Sequence, residues 1–179
     1  YGPLALKTAG QHAEGVVLQI ADPGLCKWFT DQCIDAGKAA GKDMSGFRSM
    51  AAAPAYFGEK KRAIEHVEWF PAMVGNHVAD IVEKYGADSN KVPSSLTSYI
   101  EKRRGYDYSK HGQADNPYLD FITDDVVESF CVLGEPEDHI KKLHELEAAG
   151  VTQFNIYLDS GDEEEIIANY GRHVIPAFR

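Results

Sequence analysis

The residues best suited to chemistry gather in one stretch, EKRRGYDYSKHG, residues 101–112. Lys102, Arg103, Arg104, Lys110 and His111 lie there in a chain of net charge -10, with Tyr106 and Tyr108 between them. A guanidinium pairs with phosphate or carboxylate through a planar fork, and it also stacks on rings. Such a stretch suits an anionic, planar or phosphorylated ligand. A solvated helix end followed by a surface loop is the alternative, and the residues alone leave both open. The opening YGP is a second candidate. Pro3 suits the first turn of a helix, where its missing N–H costs nothing. Gly2 lets a backbone come close to a ligand. A helix start of this kind offers free N–H groups and the positive end of the helix dipole to an anion. An ordinary turn into a helix accounts for the same residues.

The remaining reactive types carry less. His12, His66, His77, His139, His144 and His173 are scattered, and His139 and His144, five apart, do not share a helix face. Structural or surface roles are expected for all six; His111 differs through its neighbours. Asp124–Asp125 and Glu163–Glu165 sit at expected helix starts, where capping and the helix dipole explain them. Cys26, Cys33 and Cys131 form neither a disulfide framework nor a metal-ligand spacing, so buried thiols in a reducing compartment are expected. No GxSxG, P-loop or HExxH is present. No metal is expected, and no catalytic residue is assigned.

These residues need elements to position them. A length of 179 residues suits one domain or a large part of one. A pI near 5.1 argues against a general nucleic-acid surface. No run reaches the length of a membrane-spanning helix, and no signal-peptide pattern is visible, so a cytoplasmic location is the default expectation.

A helix is expected from Pro3 to about Ala13. Leu6, Ala9, Gly10 and Ala13 make a face of small residues suited to close packing on a sheet. A strand follows over 14–20. Asp22 as N-cap, Pro23 at the first helical position and Gly41 as stop frame a helix over 23–40. The next strand, 47–58, is weak β material because of its alanines. The helical pattern after it is interrupted at Pro71, which gives two helices or one kinked there. Between 87 and 123 regular pattern is scarce, apart from a short helix near 93–103. A loop that long inside a compact domain is usually functional or disordered. A short helix starts at Thr123 and a clear one runs from Pro136 to Gly150. VTQFNIYL, 151–158, alternates as a strand. The last helix starts near Asp162, with Asp162 and Glu165 as a capping box. Strands separated by helices imply parallel pairing through right-handed crossovers. Three parallel strands form a small open sheet or part of a (β/α)8 barrel.

YGPLALKTAGQHAEGVVL and FCVLGEPEDHIKKLHELEAAGVTQFNIYL resemble two segments of the luciferase-like oxidoreductases, which depend on flavin or on coenzyme F420. In the first, a strand ends in Gly-Pro and a helix follows; in the second, G-x-P-E opens a helix and A-G-V-x-x-F opens the last barrel strand. WFPAMVGNHVADIVEKYG and RRGYDYSKHG are similar to the F420-dependent subgroup. The resemblance implies an α/β fold, a (β/α)8 TIM barrel. Residues 1–179 would be the C-terminal portion of one such domain, with an insertion at about 87–123. It implies hydride transfer between F420 or FMN and a small organic substrate, with monooxygenase chemistry as an FMN option. It implies a cofactor phosphate held at Tyr1 and Gly2. It also implies a substrate pocket shaped by Arg103, Arg104, Tyr106, Tyr108 and His111, and a homodimer. The 179 residues by themselves would then lack turnover. Another phosphate-binding barrel enzyme and a non-enzymatic ligand-binding half-barrel remain as alternatives.

Overall fold

The computed structural model describes residues 2–75, 123–158 and 161–179. Helix α1 (Pro3–His12) leads through two residues into strand β1 (Gly15–Leu18). Helix α2 (Pro23–Ala39), strand β2 (Arg48–Phe57) and helix α3 (Lys60–Val67) follow. Beyond the undescribed stretch come helix α4 (Asp124–Phe130), strand β3 (Val132–Gly134), helix α5 (Pro136–Ala148), strand β4 (Gln153–Tyr157) and helix α6 (Glu163–Asn169). A π-helical turn (Tyr170–Val174) and a 3-10 turn (Ile175–Phe178) complete it.

All described strand pairs are parallel. β2 is central: Arg48–Ala51 pair with β1, Met50–Pro54 with β4, and Ala55–Phe57 with β3. The sheet thus has four described strands where the sequence led us to expect three. β3 was missed because VLG is too short to show a two-residue period.

The alanine run of β2 is well placed in a central strand covered by helices, where close packing outweighs its low β propensity. Ala51, Ala53 and Ala55 are buried on the face toward the helices, where the Ser49 hydroxyl meets that of Thr30 from α2 at 2.9 Å. Pro54 lies between Ala51, the last residue paired with β1, and Ala55, the first paired with β3. One flank of β2 has no ladder there, so the missing proline N–H is tolerated.

The core joins Leu6, Leu18, Ile20, Leu25, Phe29, Phe70, Val132, Leu146 and Ile166. The small face of α1 packs on α2, not on the sheet as expected. Gly10 lies directly against the Cys33 carbonyl, with no room for a side chain. The break in the helical pattern falls at Glu68, three residues before Pro71. Pro71 has no N–H to bond the Val67 carbonyl one turn back, and Ala72 N–H reaches Glu68 O only at 3.4 Å.

Asp22 caps α2, its Oδ1 accepting from Leu25 N–H at 2.7 Å, and its Oδ2 accepts from the Ser129 hydroxyl. Asp22→Ala is expected to lower stability by at least about 1 kcal/mol, the usual value of a cap, measurable as a lower urea midpoint. The expected box at Asp162 and Glu165 does not form: no side chain caps α6, and the Asp162 carboxylate turns to Tyr56 instead. The capping box is at α5, where the Asp138 carboxylate accepts from Glu135 N–H at 3.0 Å.

Candidate functional site

The parallel sheet sets a common direction. α2, α3, α5 and α6 each begin just beyond the C-terminal end of the strand before them. α1 ends two residues before β1 starts, so its N-terminus, about 15 Å away along ten residues, lies at that same end. Five helix N-termini therefore open on the C-terminal edge of the sheet, where barrel enzymes and open α/β sheets place their chemistry.

Gly2 is the N-cap of α1, with φ -69° and ψ 159°, and no side chain caps this helix. Its carbonyl accepts from Leu6 N–H at 3.1 Å. The N–H groups of Leu4 and Ala5 belong to the first turn, which has no intrahelical acceptors. This is the arrangement expected of an anion cradle. Because φ is negative, the backbone conformation itself does not require glycine here. Tyr1, Arg103, Arg104, Tyr106, Tyr108 and His111 lie outside the described residues, as does His77.

Sequence reasoning missed the polar groups that the fold brings to this edge. The strand registers put Val17, Met50 and Gln153 in one row and Ala52 and Asn155 in another. By the two-residue period, Gln19, Pro54 and Tyr157 share their face. This inner face is open in part: Val17 is 56% exposed and Gln153 and Asn155 are exposed, whereas Ala52 and Pro54 of β2 are buried, and Leu18, pointing the other way, is 0% exposed. At the top of it Gln19 Nε2–H donates to the Tyr157 hydroxyl at 2.8 Å, tying the end of β1 to the end of β4. Phe70 packs beside the Tyr157 ring at 5.6 Å between centroids. The only available signal was the alternation Gln153, Asn155, Tyr157 in the strand. It shows which side chains share a face, but not what they face.

A second group surrounds the end of β2. The Tyr56 hydroxyl donates to Asp162 Oδ2 at 3.0 Å, and the ring stacks on His66 at 4.6 Å. Burial, then the Asp162 carboxylate, raises the Tyr56 pKa, so the phenol stays protonated. Tyr56 and Asp162, with Arg62 and Glu165, border a cavity of about 290 Å³.

His139 on α5 is fully buried. Its ring lies flat on Phe57, centroids 4.0 Å apart. The Tyr56 carbonyl, 3.2 Å from Nε2, can only accept, so Nε2 carries the proton. Nδ1 then accepts from the Tyr170 hydroxyl at 3.1 Å. Burial depresses this imidazole to about 4, so it is neutral. The structural role expected of His139 is what the fold shows.

Lys142 caps the C-terminus of α4, donating to the Ser129 carbonyl at 3.0 Å. Burial lowers its pKa, and Asp22 works against that. Burial also pushes the Cys26 thiol up to about 12 and raises Cys131. All three cysteines are buried and free. Their thiols stay protonated and are poor nucleophiles. A larger cavity, about 450 Å³, lies between α3, α4 and α5, and several of its charges are already engaged: Lys60 pairs with Glu128 at 2.6 Å and Asp138 caps α5. Among the described residues no group of three His, Cys, Asp or Glu could hold a metal ion, and no helix is long and apolar enough to cross a membrane.

Comparison with known proteins agrees with this architecture. The chain is similar to the 5,10-methylenetetrahydromethanopterin reductase of Methanopyrus kandleri, at 29% identity over 99% of this chain and 49% of that protein. It is similar to the reductase of the same name from Archaeoglobus fulgidus, at 27% identity over 99% of this chain and 52% of that protein. The chain thus spans about half the length of these relatives. Among solved structures it matches a coenzyme F420-dependent tetrahydromethanopterin reductase from M. kandleri, with TM-score 0.65 and 26% identity over 99% of this chain and 49% of that one. An F420-dependent secondary alcohol dehydrogenase, solved with an F420–acetone adduct, matches with TM-score 0.64 at 20% identity, which speaks for the fold alone. The parallel α/β sheet is that of a luciferase-like TIM barrel, represented by about half of it. Residues 1–153 match the sequence profile of the luciferase-like monooxygenases, and the chain belongs to that family.

Proposed function

We propose that this chain is part of an F420-dependent oxidoreductase that transfers hydride between coenzyme F420 and a small organic substrate. The observation that carries the reading is likeness over 99% of the chain to reductases, one of them solved as an F420-dependent enzyme. The residues present fit such a cofactor. The uncapped first turn of α1 at Gly2 offers backbone N–H groups to its phosphate. When bound, the deazaflavin supplies the hydride chemistry at its ring. The protein's share is to hold the phosphate at Gly2 and to shield the ring from water against the inner face. Arg103 and Arg104 are proposed to hold an anionic substrate or the acidic tail of the cofactor, with Tyr106, Tyr108 and His111 shaping the same pocket.

The domain proposal goes with this. The exposed part of the inner face, with Val17 more than half exposed, is the kind of surface that a closed barrel fills with layers of side chains. We read residues 1–179 as the C-terminal portion of one barrel, and expect no turnover from them alone.

The test is a visible absorption spectrum of the intact protein, with mass spectrometry of released ligand and titration with F420 and with FMN. Binding of F420 supports the reading; bound FMN with no F420 affinity redirects it to a flavin enzyme. Binding of neither returns it to another barrel enzyme or a binder. Arg103→Ala and Arg104→Ala are expected to weaken substrate or cofactor binding about tenfold each, in line with lost charged hydrogen bonds. Unchanged affinities for both would remove the arginines from the site.

A further inference from the structure

We propose that Tyr157, oriented by Gln19, is a ligand-binding residue of the barrel interior that donates a hydrogen bond to the planar ring held there. The inference rests on the F420-dependent reading above. Three observations carry it. Tyr157 is the last residue of β4, on the inner face and at the C-terminal edge of the sheet. Its hydroxyl oxygen already accepts from Gln19 Nε2–H at 2.8 Å, so the single hydroxyl proton is directed to another acceptor. Its ring is set by Phe70 on one side, which fixes where that proton can point.

The neighbours on this face define what can sit beside it. Ala52 and Pro54 on β2 are buried, so a ring beside Tyr157 would lie toward Val17, Gln153 and Asn155, which are exposed. Asn155 stands next below Tyr157 and is exposed. Gln19, Asn155 and Tyr157 are uncharged donors and acceptors, and the one ionised residue on this face of the three registered strands, Arg48, stands at the far, N-terminal end of β2, six residues below Pro54. A surface of this kind suits the carbonyl and ring-nitrogen edge of a neutral heterocycle better than a phosphate or carboxylate. The anionic end of the ligand is left to the N-terminus of α1. Tyr56 differs: its proton is already given to Asp162.

The test compares the intact wild-type protein with Tyr157→Phe and Gln19→Leu. Oxidised F420 is titrated by absorption and fluorescence, and hydride transfer is followed in single turnovers. Tyr157→Phe keeps the ring against Phe70, so its thermal midpoint should match wild type. It should bind F420 roughly tenfold more weakly, the effect of about 1.4 kcal/mol, and change the position of the bound cofactor's absorption band. Gln19→Leu should shift the band in the same direction by less, because the phenol remains but its hydroxyl is no longer oriented. A Tyr157→Phe protein with wild-type affinity, band position and transfer rate overturns the assignment while leaving the F420 reading intact. A wild-type protein that binds no F420 removes that reading and this inference with it. A shifted midpoint with an unmoved band would show a structural role and also overturns it.

Discussion

The stability of the intact protein is expected to fall as pH drops from about 6.5 to about 4, and His139 is expected to cause much of the fall. In the unfolded chain its imidazole takes up a proton near 6.5. In the folded chain burial delays this until about 4, although the Tyr56 and Gly134 carbonyls and the Asp138 carboxylate pull the other way. Between those values the unfolded state binds the extra proton, so folding weakens as the medium becomes more acidic. Above the window the contribution is fully present. The size follows from the width: about 2.5 pKa units at 1.36 kcal/mol each is on the order of 3 kcal/mol. His139→Leu isolates the effect. Near neutral pH it should cost about 2 to 4 kcal/mol, since it strands the Tyr170 hydroxyl and the Tyr56 carbonyl and loses the stack on Phe57. Its own acid limb should be shallower. The difference in urea stability between the two proteins should therefore shrink toward pH 4; a difference independent of pH would contradict the buried neutral imidazole.

Gly10→Ala is expected to be nearly as damaging, by a different route. A Cβ at this position would stand 2.0 Å from the Cys33 carbonyl oxygen and 3.1 Å from the Ala36 Cβ. The first is backbone of α2 and cannot swing away. Gly37 completes the contact from the other side, where an added Cβ would lie 2.8 Å from the Gly10 carbonyl oxygen. The helices would have to separate, opening the packing of Leu6, Phe29 and Cys33. The expected cost is about 3 kcal/mol, at the upper end of ordinary overpacking. Gly171→Ala is the control. Nothing lies within 4 Å of its added methyl, and its φ is not positive. It should leave stability unchanged or raise it by about 0.5 kcal/mol. Equal midpoints for the two variants would mean that α1 and α2 are not in this close contact.

These two residues show how legibility depends on the range of the cause. Gly10 was recognisable as part of a small face, because a helix repeats every 3.6 residues and the pattern is local. That its partner is α2, and not the sheet, depends on where two elements meet. His139 was legible as structural only in the sense that nothing nearby made it a ligand. The depressed pKa comes from burial among residues distant in sequence, Phe57 and Tyr170 among them. The capping boxes divide similarly. Residues of the right type stand at both Asp162 and Glu135, yet only Glu135 and Asp138 close one, since Tyr56 competes for Asp162.

The sequence by itself determined the alternation of helix and strand, the parallel sense of the sheet and the family. All three are written in local periodicity, in turn residues such as Gly2, Pro3, Gly41 and Gly150, and in two contiguous motifs. It also offered Gly2 as a candidate place for an anion, because a helix start is a local event. The tertiary structure alone decided which side chains share the open end of the sheet. Gln19 and Tyr157 are separated by 138 positions and touch because β1 and β4 flank the same strand. The strand period states only that Tyr157 shares a face with Asn155; the parallel register with β2 brings that face opposite Gln19. Long-range pairing of this kind leaves no trace in either segment, which is why the polar pair at the sheet edge came from the fold.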